Sequence, residues 1–353
     1  MIRPLLALLA SLLLAGAANA RPAREPGSVL LIAGQAREEF RDYVENVTGR
    51  GRHAPLPGGA AFYTNLNLNG FRSPHANEPG DHHQDMEYLR LAREPLVMQV
   101  ALWLSRDQLH QLAAGQFESA IEGLRRELVS LERPVFLRIG YEFDGMHNRY
   151  PPEVFVQAYR AVARPMRRHR DIILVWHSYA LIPTYQEHPI EAWYPGDEYV
   201  DWLAISYFQV GEEGYYKAPN RDAVIALARE KGRPVMIAEA SPIRYTRRQK
   251  TLRGEPWWDF WFNPLFRMID ENPEIRALSI INVNWDSQRQ HNFLDWGDSR
   301  LESDPVILRR WRREAADPRW MPADERLYER VRALARPGAA PASSGSSAST
   351  VSP

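Results

Sequence analysis

Short apolar runs recur along the chain, spaced so that an amphipathic helix fits between most neighbours. They lie at Val29–Ala33, Ala61–Thr64, Leu96–Leu104, Val135–Tyr141, Ile172–His177, Trp202–Phe208, Val235–Ala238 and Leu278–Val283. Rich in β-branched and other apolar residues, they read as strands of a parallel sheet buried on both faces. Helical patterns fill the gaps at Ala36–Val47, Asp85–Ala92, Ser105–Leu131 (broken at Gly115), Pro152–Arg168, Arg221–Lys231 and Trp257–Glu271. Two more, Ser303–Glu314 and Ala323–Ala335, close the segment. Pro152 stands where helices accept proline, in the first turn. Eight strands alternating with helices predict an α/β fold, a (β/α)8 TIM barrel forming a single domain over residues 21–336. An open doubly wound sheet would favour a glycine-rich phosphate turn after its first strand. Here that turn is Ala33-Gly34-Gln35-Ala36, without such a pattern.

The two ends of the chain read differently. Arg3, the apolar stretch Leu5 to Leu14 and the small residues Ala18-Asn19-Ala20 before Arg21 predict a cleavable signal peptide over residues 1–20, hence a secreted or periplasmic protein. The apolar stretch is too short to span a bilayer, so no membrane span is expected after cleavage. Residues 337–353, poor in apolar side chains and rich in Ala, Ser and Pro, predict a disordered low-complexity tail. The chain has no Cys, so stability must come from the core and not from disulfides. A formal charge of zero argues against nucleic acid or an anionic membrane as partner.

Against this background two carboxylates stand out. Glu142 ends the run Pro134-Val135-Phe136-Leu137-Arg138-Ile139-Gly140-Tyr141-Glu142, and Glu239 ends Pro234-Val235-Met236-Ile237-Ala238-Glu239. Active sites of parallel barrels are built at the C-terminal strand ends. Paired carboxylates there suggest acid/base chemistry, with glycoside hydrolysis the leading case. Alternation along a strand puts Arg138, Gly140 and Glu142 on one face. Arg138 then becomes a buried cation in need of a carboxylate or carbonyl partner.

These segments carry a resemblance. Arg138 to Glu142 with Phe143-Asp144-Gly145 resembles the strand-four segment of glycoside hydrolase family 26. Trp193-Tyr194-Pro195-Gly196-Asp197-Glu198-Tyr199-Val200-Asp201-Trp202 resembles that family's lead-in to strand six, and Gly232 to Glu239 its strand-seven segment. The resemblance implies a retaining glycosidase, with Glu142 as acid/base and Glu239 as nucleophile. It implies no cofactor and no metal, an oligo- or polysaccharide substrate, and a monomer. Substrate contacts are expected from Arg138, Tyr141, Trp176, His177, Tyr207 and Trp285. Trp285 matches the platform under the sugar at the cleavage point, and either Tyr207 or Phe208 stands for the strand-six Tyr that bonds the nucleophile. Two departures leave the sugar open: Tyr141 replaces the family's usual His, and Gly145-Met146-His147-Asn148-Arg149-Tyr150 replaces Trp-rich sequence. Retention requires carboxyl groups about 5–5.5 Å apart, one protonated and one ionised. The repulsion between like charges at that distance separates their pKa values.

Other signals are weaker. Asp81-His82-His83-Gln84-Asp85 invites a metal-dependent deacetylase reading, but adjacent imidazoles on a helix point apart. Asn65, Asn67 and Asn69, with Arg72, read equally as sugar contacts or as a turn device. Trp257, Trp258 and Trp261 have the spacing of a helix face packed on the barrel. A carbohydrate-binding barrel without turnover, an accessory in polysaccharide assembly, is the alternative to an enzyme.

Overall fold

Eight strands, β1 (Leu30–Ala33), β2 (Gly59–Thr64), β3 (Val97–Leu102), β4 (Val135–Ile139), β5 (Ile172–Ser178), β6 (Trp202–Tyr207), β7 (Val235–Ala240) and β8 (Ile275–Ile280), pair in sequence order, and β8 closes on β1. Every pairing is parallel. The computed structural model describes residues 24–71, 95–180, 188–208, 219–243, 253–288 and 296–335. The segment expected to be a signal peptide, the C-terminal tail, the helix expected at Asp85–Ala92, the Asp81–Asp85 cluster and Arg72 lie outside the described residues. Among the described residues no helix is long and apolar enough to cross a membrane.

Side-chain alternation sorts the strands into two apolar layers. Leu30, Ile32, Ala61, Val97, Phe136, Ile173, Val175, Trp202, Ala204, Met236, Ala238 and Ala277 fill the barrel interior. Leu327, Val331 and Ala335, from the helix Leu327–Ala335, join that cluster and plug the N-terminal end. The opposite strand faces pack against the surrounding helices, among them Pro152–Met166 and Asn263–Glu271. The three tryptophans after β7 pack in this outer layer, as their helical spacing predicts: Trp258 stacks on Phe262, and Trp261 lies edge-on to Tyr207.

Local chemistry explains several boundaries. The segment Ser105–Leu131 forms two helices, Arg106–Ala113 and Glu118–Val129, with the break at Gly115 as expected. Between them Gly115 adopts φ +80°, a left-handed turn that glycine takes without a Cβ clash. Ser105 and Gln108 form a reciprocal capping box at the start of the first helix. Strand β8 sits about three residues earlier in the chain than its expected range, because apolar Ile281 and Val283 belong to a cluster beyond the barrel. Asn65 is a turn device: its Oδ1 accepts from the Asn67 and Asn69 amides at 3.0 and 3.3 Å.

Two irregularities position the site. Strand β4 ends at Ile139, two residues before its expected end, because Gly140 (φ +55°) and Glu142 (φ +52°) are left-handed. A glutamate in this region is strained and persists only when its surroundings hold it. Here the Glu142 amide donates to the His177 carbonyl at 2.8 Å, its carbonyl accepts from the Gly145 amide at 2.9 Å, and Asn148 Nδ2 donates to the Tyr141 and Glu142 carbonyls at 2.8 and 3.0 Å. The second irregularity is in β7. The register runs Ile205↔Ile237 and then Ser206↔Glu239 against β6, and it shifts again between Ile237 and Ala240 against β8. Ile237 and Ala240 both pack in the outer layer, so strict alternation from Ile237 would have sent Glu239 outward too. The bulge lets Ala238 and Glu239 both face the interior, an effect bulges commonly have beside active sites.

Candidate active site

At the C-terminal end of the barrel the apolar filling gives way to a polar layer: Tyr63 from β2, Gln99 from β3, Arg138 from β4, His177 from β5, Ser206 from β6 and Glu239 from β7, all nearly or fully buried. Glu142 joins them from the strained turn after β4. Arg138 Nη1 donates to Glu239 Oε1 at 2.5 Å, and Tyr63 Oη donates to the same oxygen at 2.7 Å. Neither bond uses Glu239 Oε2. The Arg138 guanidinium sits 5.3 Å from the Tyr63 ring centroid and 5.2 Å from that of Tyr141, close enough for cation–π attraction.

Donor and acceptor chemistry orients the rest. Arg138 Nη1 also lies 3.1 Å from His177 Nδ1, and a guanidinium can only donate, so Nδ1 is the acceptor nitrogen. The ring is neutral: burial, the Arg138 charge and His147 hold His177 well below the ordinary imidazole pKa. Its proton is therefore on Nε2, which donates to Ser206 Oγ at 3.0 Å. The Ser206 hydroxyl then donates to Glu142 Oε1. A continuous chain, Glu239–Arg138–His177–Ser206–Glu142, thus links the two carboxylates.

Their environments differ. Burial raises the Glu239 carboxyl above the ordinary value, while the Arg138 guanidinium opposes it and Glu142 adds to the rise. The Tyr63 hydroxyl stays a phenol, pushed well above its usual pKa by burial and by the Glu239 charge. Among the described residues Glu142 has no cation of comparable burial. Its Oε2 lies 2.9 Å from Nε2 of His147, whose side chain is 47% exposed.

Of the residues expected to contact substrate, Arg138, Tyr141, His177 and Trp285 lie at this end of the barrel. Tyr141 is half-buried, edge-on to Tyr63 and stacked on His177. Trp285 donates from Nε1 to Ser241 Oγ at 3.0 Å, beside Trp296 and Phe208. Two expectations are corrected. Trp176 faces outward into the helix layer, tilted against Phe143, with Nε1 donating to the Trp193 carbonyl. Tyr207 also faces outward, onto Trp261 and Arg221. Both follow from the two-residue period, which turns His177 and Ser206 inward and their neighbours out. The phenol that bonds Glu239 is Tyr63 of β2, not Tyr207 or Phe208. Tyr63 and Ser206 escape a reading based on strand ends four and seven alone; each shares its apolar run with a second hydroxyl, Thr64 and Tyr207, so the run by itself does not single them out. Among the described residues no group of three or more His, Cys, Asp or Glu side chains could hold a metal ion.

No protein-family model matches this chain. It is 28% identical over 326 residues to a β-1,3-xylanase of an Alcaligenes species, an alignment covering 86% of this chain and 66% of that protein. It is 31% identical over 245 residues to β-1,3-xylanase TXYA of a Vibrio species, covering 64% of this chain and 52% of that protein. The chain therefore spans between half and two thirds of the length of these relatives. Its fold is shared by GH26C from Muricauda sp. MAR_2010_75 (TM-score 0.58, 14% identity, 85% of this chain and 90% of that one). It is also shared by the GH26 β-mannanase BoMan26A from Bacteroides ovatus (TM-score 0.56, 15% identity, 85% and 92%). The likeness of fold covers 85% of this chain in both comparisons.

Proposed function

We propose that this chain is a secreted or periplasmic, monomeric, retaining endo-β-glycoside hydrolase acting on a β-linked polysaccharide. The observation that carries the reading is the unequal setting of two buried carboxylates at the same end of the barrel. Glu239 Oε1 is held by Arg138 and Tyr63, which favours its charged form and leaves Oε2 to attack. Glu142 accepts from the neutral Ser206 hydroxyl and its other oxygen faces the His147 imidazole; we assign it the acid/base role. Glu239 Oε2 forms a bond to the anomeric carbon as the glycosidic C–O bond breaks, and Glu142 gives its proton to the leaving oxygen. Glu142 then takes a proton from the water that attacks the same carbon and frees Glu239. Arg138 and Tyr63 hold the nucleophile, and no metal or cofactor enters either step.

The similarity to two β-1,3-xylanases makes β-1,3-xylan the first substrate to assay, ahead of mannan, β-1,4-xylan, β-glucans and bacterial exopolysaccharides. Wild type should cleave one of these internally, and Glu142→Gln and Glu239→Gln should each lose a factor of about 10²–10⁴ or more, the usual range for general acid–base groups. The first-formed anomer, followed by NMR, should match the substrate's configuration. A mechanism-based fluoroglycoside should label Glu239. Cleavage by both Gln variants at the wild-type rate would remove the assignment. Binding of a polysaccharide with no turnover of any would favour the accessory-protein alternative, and an inverted first product would exclude retention.

A further inference from the structure

The turn Gly145-Met146-His147-Asn148 replaces the sequence usual after the acid/base, and it brings a second titratable group onto Glu142. His147 Nε2 lies 2.9 Å from Glu142 Oε2. The ring is seated: it packs edge-on against Tyr179 with centroids 5.2 Å apart. It also fills the space a side chain at Gly145 would need, since a Cβ there would come within 2.5 Å of His147 Cε1. Glycine at 145 is thus what admits the imidazole. The hydrogen-bond chain through Arg138, His177 and Ser206 ends with a donor on Glu142 Oε1. A protonated carboxyl has one hydroxyl and one carbonyl oxygen, so Oε1, already an acceptor, is the carbonyl, and the proton is on Oε2, toward His147.

We propose that His147 is a positioning residue that shares one proton with Glu142 Oε2, fixing which oxygen carries the acid/base proton and keeping that proton on the pair to higher pH than Glu142 alone could. This rests on the reading of Glu142 as acid/base. Between turnovers the proton lies on Oε2 and bonds to Nε2, or lies on Nε2 and bonds to Oε2. The proton count is the same either way. When substrate enters, the proton passes from Oε2 to the leaving oxygen, and the water of the second step restores it to Oε2. A pair loses its last proton at a pH no lower than either partner would alone.

The groups facing His147 agree with this. Burial is the largest single influence and disfavours its charge, but the Glu142 hydrogen bond and charge, together with the Glu239 and Asp144 carboxylates, give a net rise in the imidazole pKa. Asp144 itself is tied by Ser178 Oγ and the Tyr179 amide at 2.7 and 2.6 Å, so Glu142 is the carboxylate free to bond the ring. Tyr179 faces the imidazole from the end of β5 as a ring edge, and His177 is neutral.

Two measurements test the proposal, only one of which needs turnover. In kcat/KM on a cleaved polysaccharide, His147→Gln should move the basic limb down by a pH unit or more, a tenfold loss above it, while the acid limb, set by Glu239, stays in place. An aryl glycoside with a good leaving group, which needs little proton donation, should lose less than twofold. Independently, the His147 imidazole followed by ¹H–¹⁵N NMR should titrate at least one unit lower in Glu142→Gln than in wild type. A basic limb unmoved in His147→Gln overturns the proposal. So does an imidazole titration unchanged in Glu142→Gln, which applies even if no substrate is found. No cleavage by wild type, with a coupled His147 titration, would fault the glycosidase reading and leave the pair standing.

Discussion

Tyr63→Phe is the sharpest probe of how Glu239, the proposed nucleophile, is held. The substitution removes one oxygen. The ring keeps its edge-on contact with Tyr141 (5.3 Å) and its place beside the Arg138 guanidinium. What is lost is the 2.7 Å bond to Glu239 Oε1, together with a long 3.4 Å contact to Gln35 Oε1. A hydrogen bond to a charged group contributes about 1.5–3 kcal/mol. One pKa unit corresponds to about 1.4 kcal/mol, so the change amounts to about 1 to 2 units, with the lower figure favoured because Arg138 still holds the same oxygen. The sign follows from the donor: a phenol O–H stabilises the ionised carboxylate, and its loss raises a Glu239 pKa that burial already lifts. The nucleophile must be ionised, so activity falls as pH drops through that value. The acid limb of kcat/KM on a cleaved polysaccharide should therefore move to higher pH by about 1 unit or more, with the melting temperature nearly unchanged. An acid limb that stays in place in a folded Tyr63→Phe would refute the reasoning, because the bond would then make no difference between the two states of Glu239.

Other consequences are open to direct measurement. Arg138→Met would leave Glu239 buried and unpaired, and removing one partner of a buried pair costs about 3–5 kcal/mol; urea unfolding at pH 7 should show this, with part of the stability recovered at a pH low enough to protonate Glu239. Trp176→Leu should lower stability by about 2–4 kcal/mol through the cavity left in the helix layer, yet leave KM unchanged, since the ring packs on Phe143 and bonds Trp193. Trp285→Leu should do the opposite, raising KM or lowering kcat with a smaller change in melting temperature, and equal KM effects of the two would refute their opposite placement. Prolonged dialysis against a chelator should leave polysaccharide cleavage at its starting rate; loss restored by a divalent ion would overturn the metal-free reading.

How much of this was legible in advance differs by level. Apolar runs with helical gaps were enough to predict the barrel, because a strand buried on both faces must be apolar along its whole length, and eight such runs leave few alternatives. The two carboxylates were legible for the same reason in reverse: a charge at the end of an apolar run conflicts with the burial around it. Facing directions were not. Trp176 and Tyr207 read as site residues because their runs end near the site, but alternation turns them into the helix layer and gives the inward places to His177 and Ser206. Glu239 depends on a bulge set by pairing with both neighbouring strands, and Glu142 on a left-handed turn tied down by Asn148 and the His177 carbonyl. The sequence by itself determined the barrel, the two acids and their order along the chain, since burial and periodicity are properties of local composition. Only the tertiary structure decided that Tyr63 from β2 bonds Glu239, that His177 and Ser206 join the two carboxylates, and that His147 reaches Glu142. Those contacts span up to 176 residues, and which side chains meet across a closed barrel is set by strand register, which a single residue of bulge reverses.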